Sequence, residues 1–158
     1  MAKVLVAYYS RTGNTKAMAE YVAQGAIGAG ANVTLKDIQE VKPDHLLDYD
    51  GIIIGSPTYY GLPSAEVKSL FDKSVMFHGQ LTGKVGGAFA SSANVGGGNE
   101  TTAMAILQAL LIHGMIVQGT ATGDHYGPVS INAPDERVKN QCYALGRRVA
   151  ELSRKLFD

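Results

Sequence analysis

Within six residues, Ser10-Arg11-Thr12-Gly13-Asn14-Thr15, the chain gathers three hydroxyls, one side-chain amide and a glycine. The segment follows an apolar run, Val4-Leu5-Val6-Ala7-Tyr8-Tyr9, and leads straight into a helical pattern. Free N–H groups and the dipole at such a helix start favour a phosphate. The competing use is a capping turn, in which Ser10 or Asn14 satisfies the helix N–H groups. Four hydrogen-bonding side chains in six residues are more than a cap requires. No Lys stands in a Walker arrangement and no G-x-G-x-x-G follows the strand, so the residues of an NTPase or dinucleotide Rossmann loop are missing.

Three further loops carry suitable chemistry. In Ser56-Pro57-Thr58-Tyr59-Tyr60-Gly61-Leu62-Pro63, two prolines stiffen the chain and Gly61 lets one peptide approach a ligand closely. Tyr59 and Tyr60 offer flat faces to a planar heterocycle, although tyrosines also serve simply to cover a sheet end. Ser91-Ser92-Ala93-Asn94-Val95-Gly96-Gly97-Gly98-Asn99-Glu100 is small and glycine-rich, so its backbone can contact a ligand, and it too opens a helix. Residues 122–134 contain Asp124-His125-Tyr126-Gly127-Pro128. This stretch can lie over the open side of a bound ring, where His125 or Tyr126 can hydrogen-bond a substrate oxygen or donate a proton.

The elements that must position these loops alternate along the chain. Apolar strands are expected at residues 4–9, 51–55, 84–90 and 115–117, with a more exposed alternating strand at 32–38. Helical spacing covers residues 14–30, a helix starting near Pro63, residues 100–113, and a last helix burying Val138, Cys142, Leu145, Val149, Leu152 and Leu156. The connection between the second and third strands has room for a short helical turn. This β-α succession predicts one α/β domain over residues 1–158: a five-stranded parallel sheet of order 2-1-3-4-5 with helices on both faces. Ligands of such sheets sit beyond the carboxyl ends of the strands. All four loops fall at that edge.

At 158 residues, with 46% hydrophobic and 18% charged residues, the composition is that of a globular chain. Fourteen basic residues balance fourteen acidic ones, which argues against nucleic acid as a partner. No run is long enough to span a membrane, and a cytoplasmic location is expected. Cys142 is the only cysteine, on the inward stripe of the last helix, so it reads as core. No His, Cys or carboxylate grouping has metal-ligand spacing. His45 and His78 lie in polar loops, and no Arg or Lys cluster marks a 2′-phosphate site. A phosphatase of this topology would need Cys where Ser10 stands, and a phospho-receiver an Asp where Gly55-Ser56 stands.

The motif Ser10-x-Thr12-Gly13-x-Thr15, preceded by Tyr8 and followed by Ala19 and Val22, resembles the phosphate loop of flavodoxins, although Ala7 replaces a bulkier residue. Lys3-Val4-Leu5-Val6-x-Tyr8-Tyr9-Ser10, Pro57-Thr58-x-x-Gly61, Gly96-Gly97-Gly98-Asn99-Glu100 and His113-Gly114-Met115 are similar to the tryptophan-repressor-binding-protein type of NAD(P)H:quinone oxidoreductase. The resemblance implies a flavodoxin-like three-layer sandwich and a non-covalent FMN. It places the FMN phosphate on Ser10, Arg11, Thr12, Gly13, Asn14 and Thr15. The isoalloxazine would border Pro57, Thr58, Tyr59, Tyr60 and Gly61, while Ser91, Ser92, Ala93, Asn94, Val95, Gly96 and Gly97 wrap its other edge and the ribityl chain. It also implies a flavin contact at His113. Because His113 ends a helix pointing away from that edge, such a contact is expected across a homo-oligomer, dimer or tetramer. NAD(P)H is the implied electron donor and a quinone-like molecule the acceptor. The alternative is a flavodoxin-type carrier docking to redox partner proteins. Carriers of that type are strongly acidic, and this chain is not. Three features depart from the quinone-reducing type: no insertion between the second and third strands, a shorter segment after the fifth, and no Trp, where relatives carry one near Met76 or Phe77.

Overall fold

The computed structural model describes all residues, Met1–Asp158. The chain runs through strand β1 (Lys3–Tyr8), helix α1 (Asn14–Gly28), strand β2 (Asn32–Asp37), two 3-10 turns (Ile38–Glu40 and Pro43–Asp48), and strands β3 (Gly51–Tyr59) and β4 (Leu62–Pro63). It continues through α2 (Ala65–Lys73), a 3-10 turn (Ser74–Phe77), β5 (Val85–Ser92), α3 (Asn99–Ile112), β6 (Ile116–Val117), β7 (Val129–Ile131) and α4 (Glu136–Phe157).

The sheet has the expected order, β2-β1-β3-β5-β6, with every pairing along that path parallel. Its outermost position is divided. β6 pairs with the start of β5, Val85 opposite Ile116, and β7 pairs with its end, Ser92 opposite Ile131. The strand expected at 115–117 thus fills only half of this position, and the expected loop at 122–134 contains the other half, β7. Two other boundaries move. β3 runs on through Pro57 to Tyr59, and β5 through Ser91 and Ser92, so several residues expected in loops are the last rungs of strands. α2 begins at Ala65 rather than at Pro63, because Ser64 Oγ accepts the Val67 N–H as its cap while Pro63 pairs with Thr58.

Alternate residues of β1 and β3 feed two cores. Val4, Val6 and Ile53 pack with Met18, Val22, Leu145 and Val149 of α1 and α4. Leu5, Ala7, Ile52 and Ile54 pack with Val67, Leu70, Ile106 and Leu110 of α2 and α3. Burial on both faces explains the unbroken apolar runs. Gly55 is needed for packing: a Cβ there would lie 2.0 Å from the buried Phe89 ring. No helix is long and apolar enough to cross a membrane.

Candidate cofactor site

α1 starts without a side-chain cap. Its N-cap is Gly13, at φ 100°, and Ser10 Oγ is occupied by the Gly13 N–H at 3.1 Å rather than by the helix. The first N–H groups of α1 thus remain available to an anion. α3 starts the same way, on Gly98 at φ 98°, also uncapped. α2 and α4 are instead capped by Ser64 and Asp135. The two uncapped starts are those that follow β1 and β5 at the carboxyl edge of the sheet. A simple capping role for Ser10 or Asn14 does not fit this contrast.

Buried hydroxyls join the loops. Thr15 Oγ1 and Ser91 Oγ lie 2.9 Å apart, tying the first turn of α1 to the end of β5. Ser56 Oγ accepts the Ser64 N–H and donates to the Pro57 carbonyl, fixing the turn that carries Thr58, Tyr59, Tyr60 and Gly61. Thr101 Oγ1 lies 2.7 Å from the Gly61 carbonyl and 2.9 Å from that of Gly98, so the loops after β3 and β5 are held against each other. Asn99 Nδ2 donates to Ser92 Oγ, which itself donates to the Asn94 carbonyl. Ser56, Gly98, Asn99 and Thr101 were not singled out from sequence as site residues. The readable signal was Thr101, three residues past a glycine at a helix start.

The fit to a phosphorylated planar ligand rests on what these residues leave open. Thr58 Oγ1 is buried without a partner, an exception among buried polar atoms. Tyr60, at φ 50°, is fully exposed, and Tyr59 and Val95 are exposed as well. Gly98 keeps the floor low, since a Cβ there would lie 2.6 Å from Gly61 Cα. Tyr9 immediately precedes the Ser10–Thr15 loop. Its hydroxyl is pushed up from the usual tyrosine value by desolvation first, then by Glu66 and Tyr59, with Arg11 opposing. A cleft of about 460 Å3 opens beside Val95, Gly96, Gly98 and Asn99. It shares Glu100 and Val129 with a smaller cleft lined by Asp124, His125 and Tyr126.

His125 and Tyr126 therefore border the same edge from residues 118–128. Asp124 anchors this segment by accepting from the Val129 N–H and from Arg137. His125 Nδ1 donates to the Thr120 carbonyl at 2.8 Å, which leaves Nε2 as the free ring nitrogen. His113 is not brought to this group. It follows α3 at the opposite edge, beside Gly114, whose carbonyl accepts the Gly83 N–H just before β5. It is buried, with Nε2 2.7 Å from Ser74 Oγ. Ser74 spends its proton on the Phe71 carbonyl, so His113 Nε2 donates and Nδ1 is unprotonated and unpartnered. Burial, and then His78, hold its pKa below the usual histidine value.

The largest described cleft, about 500 Å3, lies away from these loops, between α2 and residues 38–43. The hydroxyl-rich loops, the uncapped helix starts and the orphaned Thr58 hydroxyl mark the carboxyl edge as the candidate cofactor site.

The flavodoxin family profile matches residues 6–151. A flavodoxin of Aquifex aeolicus is 44% identical, covering 96% of this chain and 86% of that one. An NAD(P)H dehydrogenase (quinone) of Archaeoglobus fulgidus is 35% identical over 99% of this chain and all of its own. The first alignment spans 160 positions and the second 190. Among solved structures, an archaeal flavodoxin superposes with a TM-score of 0.80 at 28% identity, covering 96% of this chain and 99% of that one. A WrbA-like flavodoxin from Agrobacterium tumefaciens gives 0.82 at 29%, covering 98% and 99%. With the parallel sheet and the uncapped start of α1 already described, these matches establish that the chain belongs to the flavodoxin family.

Proposed function

We propose that this flavodoxin-family chain is an FMN-dependent oxidoreductase passing electrons from NAD(P)H to a quinone-like acceptor. The observation that carries this reading is the scarcity of charge at the candidate ring site: residues 56–63 and 91–99 contain no ionisable group other than the two tyrosines, and Glu100 is the one charged residue lining the cleft beside them. A sparsely charged, aromatic, open rim suits small planar reactants. Relatives named NAD(P)H dehydrogenase (quinone) support it at 35–40% identity.

Bound at this edge, FMN supplies the hydride and electron transfer. The chain's part is to hold and orient it. Ser10, Arg11, Thr12, Gly13, Asn14 and Thr15 would receive the phosphate at the α1 start, where backbone N–H groups are unspent. Pro57, Thr58, Tyr59, Tyr60 and Gly61 would border the ring, with the Thr58 hydroxyl free to hydrogen-bond its polar edge. Residues 91–97 would close the other side. His125 Nε2 and the Tyr126 hydroxyl would hydrogen-bond or protonate an acceptor oxygen.

His113, buried with Nε2 against Ser74, presents no ring nitrogen at the surface, so the flavin contact implied by resemblance is not offered by this fold, even to a neighbouring copy. The exposed apolar residues Leu111, Ile112, Val75 and Met76 support a homo-oligomer, because the Ser74–His113 bond brings these two segments side by side. A cytoplasmic setting suits a chain whose one cysteine is buried and unbridged.

The test is steady-state: purified protein with FMN should oxidise NAD(P)H when benzoquinone is supplied. Absence of turnover sinks the enzyme reading. A carrier that docks to redox proteins is the second reading, favoured by the 44% identity to a flavodoxin over an alignment scarcely longer than this chain. In that case the reduced protein should pass electrons to cytochrome c while leaving NAD(P)H untouched.

A further inference from the structure

The cleft between α2 and the β2–β3 connection is outside the cofactor site, and its lining is ordered by chemistry. Its floor is apolar and fully buried: Ile38, Val41 and Leu70. Its rim carries Lys42 and Lys73, and neither ammonium has an acidic partner among the ion pairs of the molecule. Residues 38–43 and α2 both run from the carboxyl edge of the sheet towards the amino edge, because β2 enters the first and β4 the second. Ile38 and Gln39 thus stand opposite Ala65 and Glu66 at the upper end, and Lys42 and Lys73 belong to the lower end. Glu66, the one carboxylate of the lining, is at the upper end, within electrostatic range of Tyr9.

The cleft's upper end adjoins the candidate ring site. Ala65 follows Leu62 and Pro63, which pair with Tyr59 and Thr58. From Ala65, α2 descends nine residues to Lys73, about 12 Å at the usual helical rise. A volume of about 500 Å3 is in the range of small-molecule sites. An apolar trough with two free cations at its far end matches a flat, apolar-faced group carrying a phosphate.

We propose that this cleft holds the adenosine end of NADPH, with its 2′-phosphate between Lys42 and Lys73, while the nicotinamide end reaches Tyr59 and Tyr60. The inference rests on the NAD(P)H reading above and deepens it: the donor is NADPH in preference to NADH. The two lysines are 31 positions apart in the chain, so no basic cluster is visible until the fold brings α2 beside residues 38–43.

Calorimetry on the FMN-loaded protein with 2′,5′-ADP as probe tests the cleft without turnover. Saturable binding is expected, weakened at least about tenfold in Lys42→Met/Lys73→Met. 5′-AMP, which lacks the 2′-phosphate, should bind no better to the wild type than to the double variant. Equal binding of 2′,5′-ADP to both proteins, or equal binding of 5′-AMP and 2′,5′-ADP to the wild type, overturns the assignment. FMN titration of the double variant guards against a folding defect, and Lys42→Arg/Lys73→Arg should keep the probe. In the oxidation assay the double variant should raise KM for NADPH about tenfold and leave KM for NADH and kcat unchanged. If 2′,5′-ADP binds as described and no NAD(P)H is oxidised, the donor reading fails while the phosphate site stands.

Discussion

Gly13 and Gly98 share a left-handed conformation but differ in what surrounds them, and that difference separates two costs. A Cβ at Gly13 meets nothing within 4 Å, so Gly13→Ala adds only backbone strain, about 1 kcal/mol. At Gly98 the same methyl would collide with Gly61 Cα and force the loops after β3 and β5 apart. Gly98→Ala should therefore weaken FMN binding on the order of tenfold or more, a loss of ~1.4 kcal/mol per decade, while Gly13→Ala weakens it less. Flavin fluorescence quenching on titration measures both, and equal losses would show that Gly98 has no role in the floor of the site. His113 gives a second expectation at this scale. Its pKa is depressed in the fold, so the unfolded chain takes up the proton first as acidity rises. Its contribution is fully present above the ordinary value near 6.5 and is lost as pH falls below that. Denaturant unfolding from about pH 8 to about pH 5 should show a steeper loss for wild type than for His113→Gln. Most hydroxyls of the phosphate loop could be read from the sequence because they crowd one short segment. The bridging bonds of Thr101 and Ser56 could not, because their partners, the Gly61 carbonyl and the Ser64 N–H, come within reach only once the chain is folded.

At the scale of elements, periodicity located every helix and every long strand: burial on both sheet faces leaves continuous apolar runs in β1, β3 and β5, and the exposed edge strand β2 keeps an alternation. β7 escaped it: Val129-Ser130-Ile131 is three residues long and gives no period, and only its pairing with Ala90 and Ser92 makes it a strand. The packing of α1 on α4 was equally invisible. Gly25 and Gly146 sit at their crossing, where a Cβ would approach the Tyr143 carbonyl oxygen to 2.2 Å and the Val22 carbonyl oxygen to 1.9 Å. In a solvent-exposed helix, Gly→Ala would stabilise by about 1 kcal/mol. Here the backbones touch, and overpacking typically costs about 1–3 kcal/mol. Gly146→Ala should thus destabilise the protein, with the sign opposite to helix propensity. A chemical-denaturation midpoint that rises in this variant would show that the two helices separate freely.

For the molecule as a whole, the balance of charge distinguishes the two uses of the fold. Formal neutrality comes from fourteen cations and fourteen anions, three pairs of which close within a helix, Lys68–Asp72, Lys139–Glu136 and Arg147–Glu151, so little single-sign field is expected from the surface. The rim of the candidate ring site adds only Glu100. A carrier that docks through complementary charge gains association rate from such a field and loses it as salt rises. A small neutral acceptor entering a sparsely charged rim has nothing to be screened. Raising ionic strength from about 0.1 M to about 1 M shortens the Debye length from about 10 Å to about 3 Å, enough to remove steering between proteins. With NADPH saturating, kcat/KM for benzoquinone should change by less than about twofold across that range, because the neutral acceptor carries no charge to be screened. A steep fall for benzoquinone would reveal a charged group governing entry to the ring. A steep fall seen only with cytochrome c as acceptor, together with failure to oxidise NADPH, would assign the sparsely charged rim to protein docking and the chain to electron carriage.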